Sequence, residues 1–149
     1  MQCIPLSNEE AIKTGFTHKL VFPYTDFTGL TSGTAYSIFP KLNSATTFNA
    51  GTRVRACAFN VSTVFVFAAG TLVFKIGDGG DTARFVAAST DLLTAAYGEG
   101  AISKMPYTYA SADTIDITIT AGAGTPATIA SGELHVYLAL CDGSTTLEK

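Results

Sequence analysis

The stretch Thr71-Leu-Val-Phe-Lys-Ile-Gly-Asp-Gly-Gly-Asp-Thr-Ala-Arg-Phe85 decides how the rest of the chain is read. Leu72, Phe74 and Ile76 share one parity, and Thr71, Val73 and Lys75 share the other. Successive side chains of a strand point to opposite faces, so this alternation predicts a half-buried strand. The strand runs into Gly77-Asp-Gly-Gly-Asp81, where Asp78 and Asp81 are candidate oxygen ligands for calcium. An EF-hand loop needs further ligands and a closing glutamate, and calcium-binding β-helix loops come in tandem arrays. A phosphate loop needs Gly-Lys-Ser/Thr opening a helix, and Thr82-Ala-Arg84 stands there instead. The plainer reading is a turn in which glycine reaches positive φ and aspartate bonds its own backbone. No metal or cofactor is expected, with Asp78 and Asp81 retained as metal candidates.

The same alternation recurs on either side. Phe16, Leu20 and Phe22 share a parity in a strand ended by Pro23, and Thr34 to Phe39 resumes after a turn-rich segment. After a polar loop from Lys41 to Gly51, Thr52 to Phe67 reads as one long strand or two with a bend. Cys57, Phe59, Val61 and Phe65 share a parity with Arg53 and Arg55, so the face changes character along it. Ala87 to Ala96 is the one segment with helical potential, with Ser89 or Thr90 as a cap. Met105 to Tyr109 is a short edge candidate because Pro106 lacks a donor. Thr114-Ile-Asp-Ile-Thr-Ile-Thr120 is the cleanest strand, with Ile115, Ile117 and Ile119 inward. A loop of small residues from Ala121 to Gly132 follows it. Glu133 to Leu140 closes the series, with Leu134, Val136, Leu138 and Leu140 inward.

Seven or eight short strands with little helix predict an all-β chain: a single antiparallel β-sandwich, jelly-roll-like, with one or two helical turns at most. The sandwich spans 16–141. An N-terminal arm, 1–15, precedes it, where Pro5 blocks a strand and Asn8 to Lys13 makes at most a single helical turn. A polar tail, 142–149, follows.

Composition narrows function. Only 14% of the 149 residues are charged, against about 25% in an ordinary soluble domain, and mean hydropathy is +0.30. No apolar run approaches the roughly 18 residues of a membrane helix, so the apolar surface points to self-association rather than to a membrane. Net charge is −3 and the nine basic residues are scattered, with Arg53 and Arg55 the one close pair. Nucleic-acid binding needs a clustered basic stripe and is not expected. The N-terminus lacks a signal-peptide pattern, which implies synthesis in the cytoplasm. Cys57 reads as a buried thiol, while Cys3 and Cys141 stay open as a bridge.

Catalytic machinery is not visible. His18 and His135 sit in strand patterns without a second ligand at a useful spacing, and no serine lies in a Gly-x-Ser-x-Gly elbow. Tyr24, Phe27, Tyr97, Tyr107 and Tyr109 fall in loops or edges. They read either as anchors for a partner or as a satellite cluster packing loops onto the sandwich.

Three segments carry a family resemblance. They are Ile76 to Ala88, Ala112-Asp-Thr-Ile-Asp-Ile-Thr118, and Ser131-Gly-Glu-Leu-His-Val-Tyr-Leu138. Over roughly residues 52–140 the chain resembles small virion proteins of tailed bacteriophages, and among them head decoration, or cement, proteins. The resemblance implies a non-enzymatic β-sandwich subunit, often a homotrimer, that sits on the capsid surface and clamps neighbouring major capsid proteins. A phage tail, fibre or receptor-binding β-module shares the same composition and is the alternative.

Overall fold

The computed structural model describes residues 1–40, 47–94, 97–99 and 105–141. Its elements run β1 (Gln2–Pro5), α1 (Asn8–Thr14), β2 (His18–Pro23), β3 (Ala35–Phe39), β4 (Arg53–Val66), β5 (Leu72–Gly77), β6 (Val86–Asp91), β7 (Tyr97–Glu99), β8 (Tyr107–Thr108), β9 (Ile115–Ala121) and β10 (Ser131–Cys141). One sheet has the order β1-β2-β10-β4-β7, with β8 also on β4; the other has the order β3-β9-β5-β6. Every pairing is antiparallel. The all-β sandwich expectation holds.

The core lies between the sheets. Leu20, Phe22, Val136 and Leu138 from one face Ile76, Ile115, Ile117 and Ile119 from the other, all of them fully buried. Burying each such side chain contributes about 1.5–3 kcal/mol. Phe59 meets Phe74 edge-on across the gap, with ring centroids 5.1 Å apart. Aromatic groups close both ends of the long strand β4. Phe27 stacks on Phe22 at 5.7 Å and reaches Phe65 at 5.6 Å, while Phe48 sits on Tyr109 at 4.5 Å.

A register shift between Ala139 and Leu140 explains the change of face along β4. Ala139 pairs with Ala56 and Leu140 with Val54, leaving Arg55 as the extra residue of a bulge. Val54 and Cys57 are therefore both buried despite opposite parity, and Arg53 and Arg55 are exposed. The same shift leaves Leu140 only partly buried, contrary to its predicted inward position.

Two expectations are corrected and one open alternative is decided. Within residues 1–15 Pro5 does not block a strand: it ends β1, which pairs along the sheet edge from Gln2↔Val21 to Pro5↔His18. An edge strand tolerates a missing N–H. The helix α1 is seven residues long, with Ser7 and Glu10 forming a reciprocal capping box and Gly15 closing it in the left-handed conformation. The segment predicted to be helical is strand over Val86–Asp91, because pairing with β5 outweighs the helical leaning of its alanines; Ala95 and Ala96 lie outside the described residues. No bridge joins Cys3 to Cys141: all three cysteines are free. The 142–149 tail lies outside the described residues.

Candidate functional site

The Gly77–Asp81 loop is built around one carboxylate. Asp78 is 1% exposed. Its Oδ1 accepts from the backbone N–H groups of Gly80 and Asp81, at 2.9 and 2.8 Å, and from Arg84 Nη2 at 3.3 Å. Its Oδ2 accepts from Arg84 Nε at 2.5 Å and from the Tyr109 hydroxyl at 3.1 Å. Both oxygens are thus engaged by protein donors, and a cation would have to displace the guanidinium. Among the described residues, no group of three or more His, Cys, Asp or Glu is placed to hold a metal.

The glycines act differently from the expectation. Neither Gly77, Gly79 nor Gly80 has positive φ. A Cβ on Gly77 would lie 2.0 Å from the Asp81 carbonyl oxygen, so the residue permits close backbone approach instead. The loop folds back on itself through Asp78 N–H to Asp81 O at 3.0 Å and Arg84 N–H to Asp81 O at 3.1 Å.

From this loop Arg84 reaches the other sheet. Its guanidinium carbon lies 3.9 Å from the Tyr107 ring centroid, and Tyr107 meets Tyr109 edge-on at 4.8 Å. The Asp78 carboxylate holds the Arg84 guanidinium in its charged form, raising its pKa. Burial, and then the charge of Asp78, pushes the Tyr109 hydroxyl up, so it stays protonated and donates. Asp116 is also raised, first by burial and further by the neighbouring charges of Asp113 and Asp78. The motif that looked like a ligand loop is an inter-sheet clamp.

The aromatic candidates separate. Phe27 is fully buried and Tyr109 is 3% exposed, so both belong to the packing cluster and not to an exposed surface. Tyr24 and Tyr107 are half-buried. Tyr97, on the edge strand β7, is 65% exposed. It borders a groove of about 530 Å³ on the outer face of the six-stranded sheet, with Leu6, Phe16, Lys19, Asn60 and Tyr137 along its walls. Parity could not separate these five residues, because the burial of a loop aromatic depends on which strand end its loop covers.

His135 Nε2 lies 2.7 Å from Glu133 Oε1, and Ser62 Oγ donates to that same oxygen at 3.2 Å, so serine and imidazole both face the carboxylate. His18 packs edge-on against Phe39 and bonds Thr17 Oγ1 at 2.8 Å, and burial lowers its pKa.

No family model and no curated protein matches the sequence. Among solved structures, the chain is similar to one from the cyanophage Pam1 capsid asymmetric unit. That match has 18% identity and a TM-score of 0.55, over 80% of this chain and 79% of the other. A chain from the acidic stable capsid structure of Helicobacter pylori bacteriophage KHP30 matches at 14% identity, with a TM-score of 0.46, over 80% and 83% of the two chains. The near-equal coverage in the Pam1 match sets two small domains of similar length against each other, and what they share is the fold.

Proposed function

We propose that this chain is a non-enzymatic structural protein of a bacteriophage virion, a decoration subunit that binds major capsid protein on the capsid surface as a homo-oligomer, most simply a trimer. The strand order carries the reading. Setting β1 and β8 aside, the sheets run β2-β10-β4-β7 and β3-β9-β5-β6. We read this as two interlocked Greek keys, the jelly-roll plan used by many viral capsid domains. The Pam1 likeness supports the same reading, since it relates whole domains of similar length. Fold alone does not dictate function, but the chemistry agrees. Asp78, the most deeply buried carboxylate among the described residues, is engaged in cross-linking the sheets, as a subunit built for stability requires. Low charge and a three-fold arrangement suit broad contact that buries apolar area.

The test is mass and symmetry in solution, paired with binding to undecorated heads of the virus that encodes the chain. A stable trimer that decorates heads is the expected result. A monomer indifferent to heads overturns the proposal, and binding to host cells in place of heads replaces it with a receptor-binding module.

A further inference from the structure

Six of the nine basic residues lie among those described, and four of the six are engaged within the molecule. Lys13 pairs with Glu9 at 2.6 Å, Lys75 donates to Thr82 Oγ1 at 2.8 Å, Arg84 holds Asp78, and Lys19 lies 5.9 Å from the Tyr137 ring centroid. Arg53 and Arg55 differ: both are exposed, and neither has an acidic partner among the described residues. With Pro106 and Cys141 they line a concavity of about 500 Å³. Strand alternation puts them there, because Val54 between them is seated in the core, and the bulge that follows turns Cys57 of the same parity inward.

We propose that Arg53 and Arg55 form a docking site for an extended acidic segment of a partner protein. Two residues along a strand span about 6.6 Å, which is also the spacing of side chains i and i+2 on one face of an extended peptide. Carboxylates at alternate positions of such a segment would each meet one guanidinium, whose planar fork takes a carboxylate bidentately. Charge complementarity selects this occupant. Two adjacent arginines on a chain of net charge −3 suit a short run of carboxylates, whereas a nucleic-acid duplex requires a long basic track that this chain lacks. Naming the shell subunit as owner of the acidic segment rests on the proposed decoration role; the site itself does not.

The probe is a fluorescent peptide of alternating glutamate and serine, titrated by anisotropy at low salt. Wild type is expected to bind, and binding should weaken as salt rises. The Arg53→Gln/Arg55→Gln double variant should bind about tenfold more weakly or worse, corresponding to loss of charge-assisted bonds. Arg55→Lys, which keeps the charge and loses the fork, should fall between them, and Lys13→Gln should match wild type. Melting curves matching wild type establish that each variant is folded. Failure of wild type to bind, equal binding by the double variant, or tighter binding of a DNA duplex would overturn the site. Undecorated heads supply the second arm. If wild type decorates them and the double variant does so equally well, the site is wrong while the decoration role stands. If wild type does not decorate them, the decoration role fails and the peptide titration still judges the site.

Discussion

Tyr109 donates its hydroxyl proton to Asp78 Oδ2 at 3.1 Å, and the two residues follow strands of opposite sheets. The bond ties the Gly77–Asp81 loop, at the end of β5, to the chain leaving β8. Tyr109→Phe keeps the ring against Phe48 and removes only the donor. A hydrogen bond to a charged group contributes about 1.5–3 kcal/mol, so urea unfolding should show a loss of about 2 kcal/mol with an unchanged m-value. Asp78→Ala should cost more, about 3–5 kcal/mol, because it leaves Arg84 without its counter-charge. Calcium should leave the Tm of wild type unchanged, since the Asp78 oxygens already have donors. A Tyr109→Phe variant as stable as wild type would mean that the clamp contributes nothing.

Gly77→Ala tests close approach directly. The added methyl would meet the Asp81 carbonyl oxygen at 2.0 Å and the Thr82 carbonyl carbon at 2.4 Å, both of them backbone atoms that cannot rotate away. Relief requires opening the loop and shifting Asp78 from Arg84. We expect a loss of about 3 kcal/mol or failure to fold, at the upper end of overpacking costs. Gly79→Ala is the contrast, because its nearest neighbour would be Asp113 Oδ1 at 3.5 Å, an ordinary contact. A Gly77→Ala variant no less stable than Gly79→Ala would sink this account of the motif.

The sequence disclosed what depends on period two. Ile115, Ile117 and Ile119 alternate with polar residues and are all fully buried, as are Leu72 and Ile76. What it hid depends on partners distant in the chain. Arg53 and Cys57 share a parity and part company only because β10 forces a bulge between them. The Asp78 and Tyr109 side chains meet across 31 positions, so no spacing rule reveals them. Ala87 leans to helix and Thr90 to strand, so local preference is divided and their state follows from lying beside β5. Arg53 and Arg55 were visible as a pair, but that neither has an acidic partner among the described residues emerged only from where the other charges went.

Thiol chemistry gives a pH prediction. Burial pushes the Cys57 thiol up to about 12, whereas an unfolded cysteine ionises near about 8.5. Between those values the unfolded chain releases a proton that the folded chain keeps, so the folded state binds more protons and stability falls as pH rises. One such thiol contributes a slope of about 1.4 kcal/mol per pH unit. Tyr109, also raised, adds to the slope above about pH 10, where an unfolded tyrosine ionises. Denaturant midpoints taken from pH 8 to 11 should decline, and Cys57→Ala should flatten the first part of the decline. At neutral pH, Ellman's reagent should label the exposed Cys3 and Cys141 in the folded protein and reach Cys57 only on unfolding.

Phe27 and Tyr97 stand at the two extremes of the aromatic candidates, one fully buried and one exposed at a strand edge. Phe27 is fully buried between Phe22 and Phe65, and truncation to alanine should cost about 3–5 kcal/mol of stability. Tyr97, 65% exposed at the groove, should tolerate alanine within about 0.5 kcal/mol. If the groove is a contact surface, Tyr97→Ala should nonetheless weaken self-association or head binding by more than about 1 kcal/mol, roughly fivefold or more. Sedimentation equilibrium and head-binding titrations measure this at constant stability. Unchanged assembly in Tyr97→Ala would remove this groove from the interface and leave the arginine-lined concavity at β4 as the surface to pursue, since its contacts rest on charge and not on the aromatic edge.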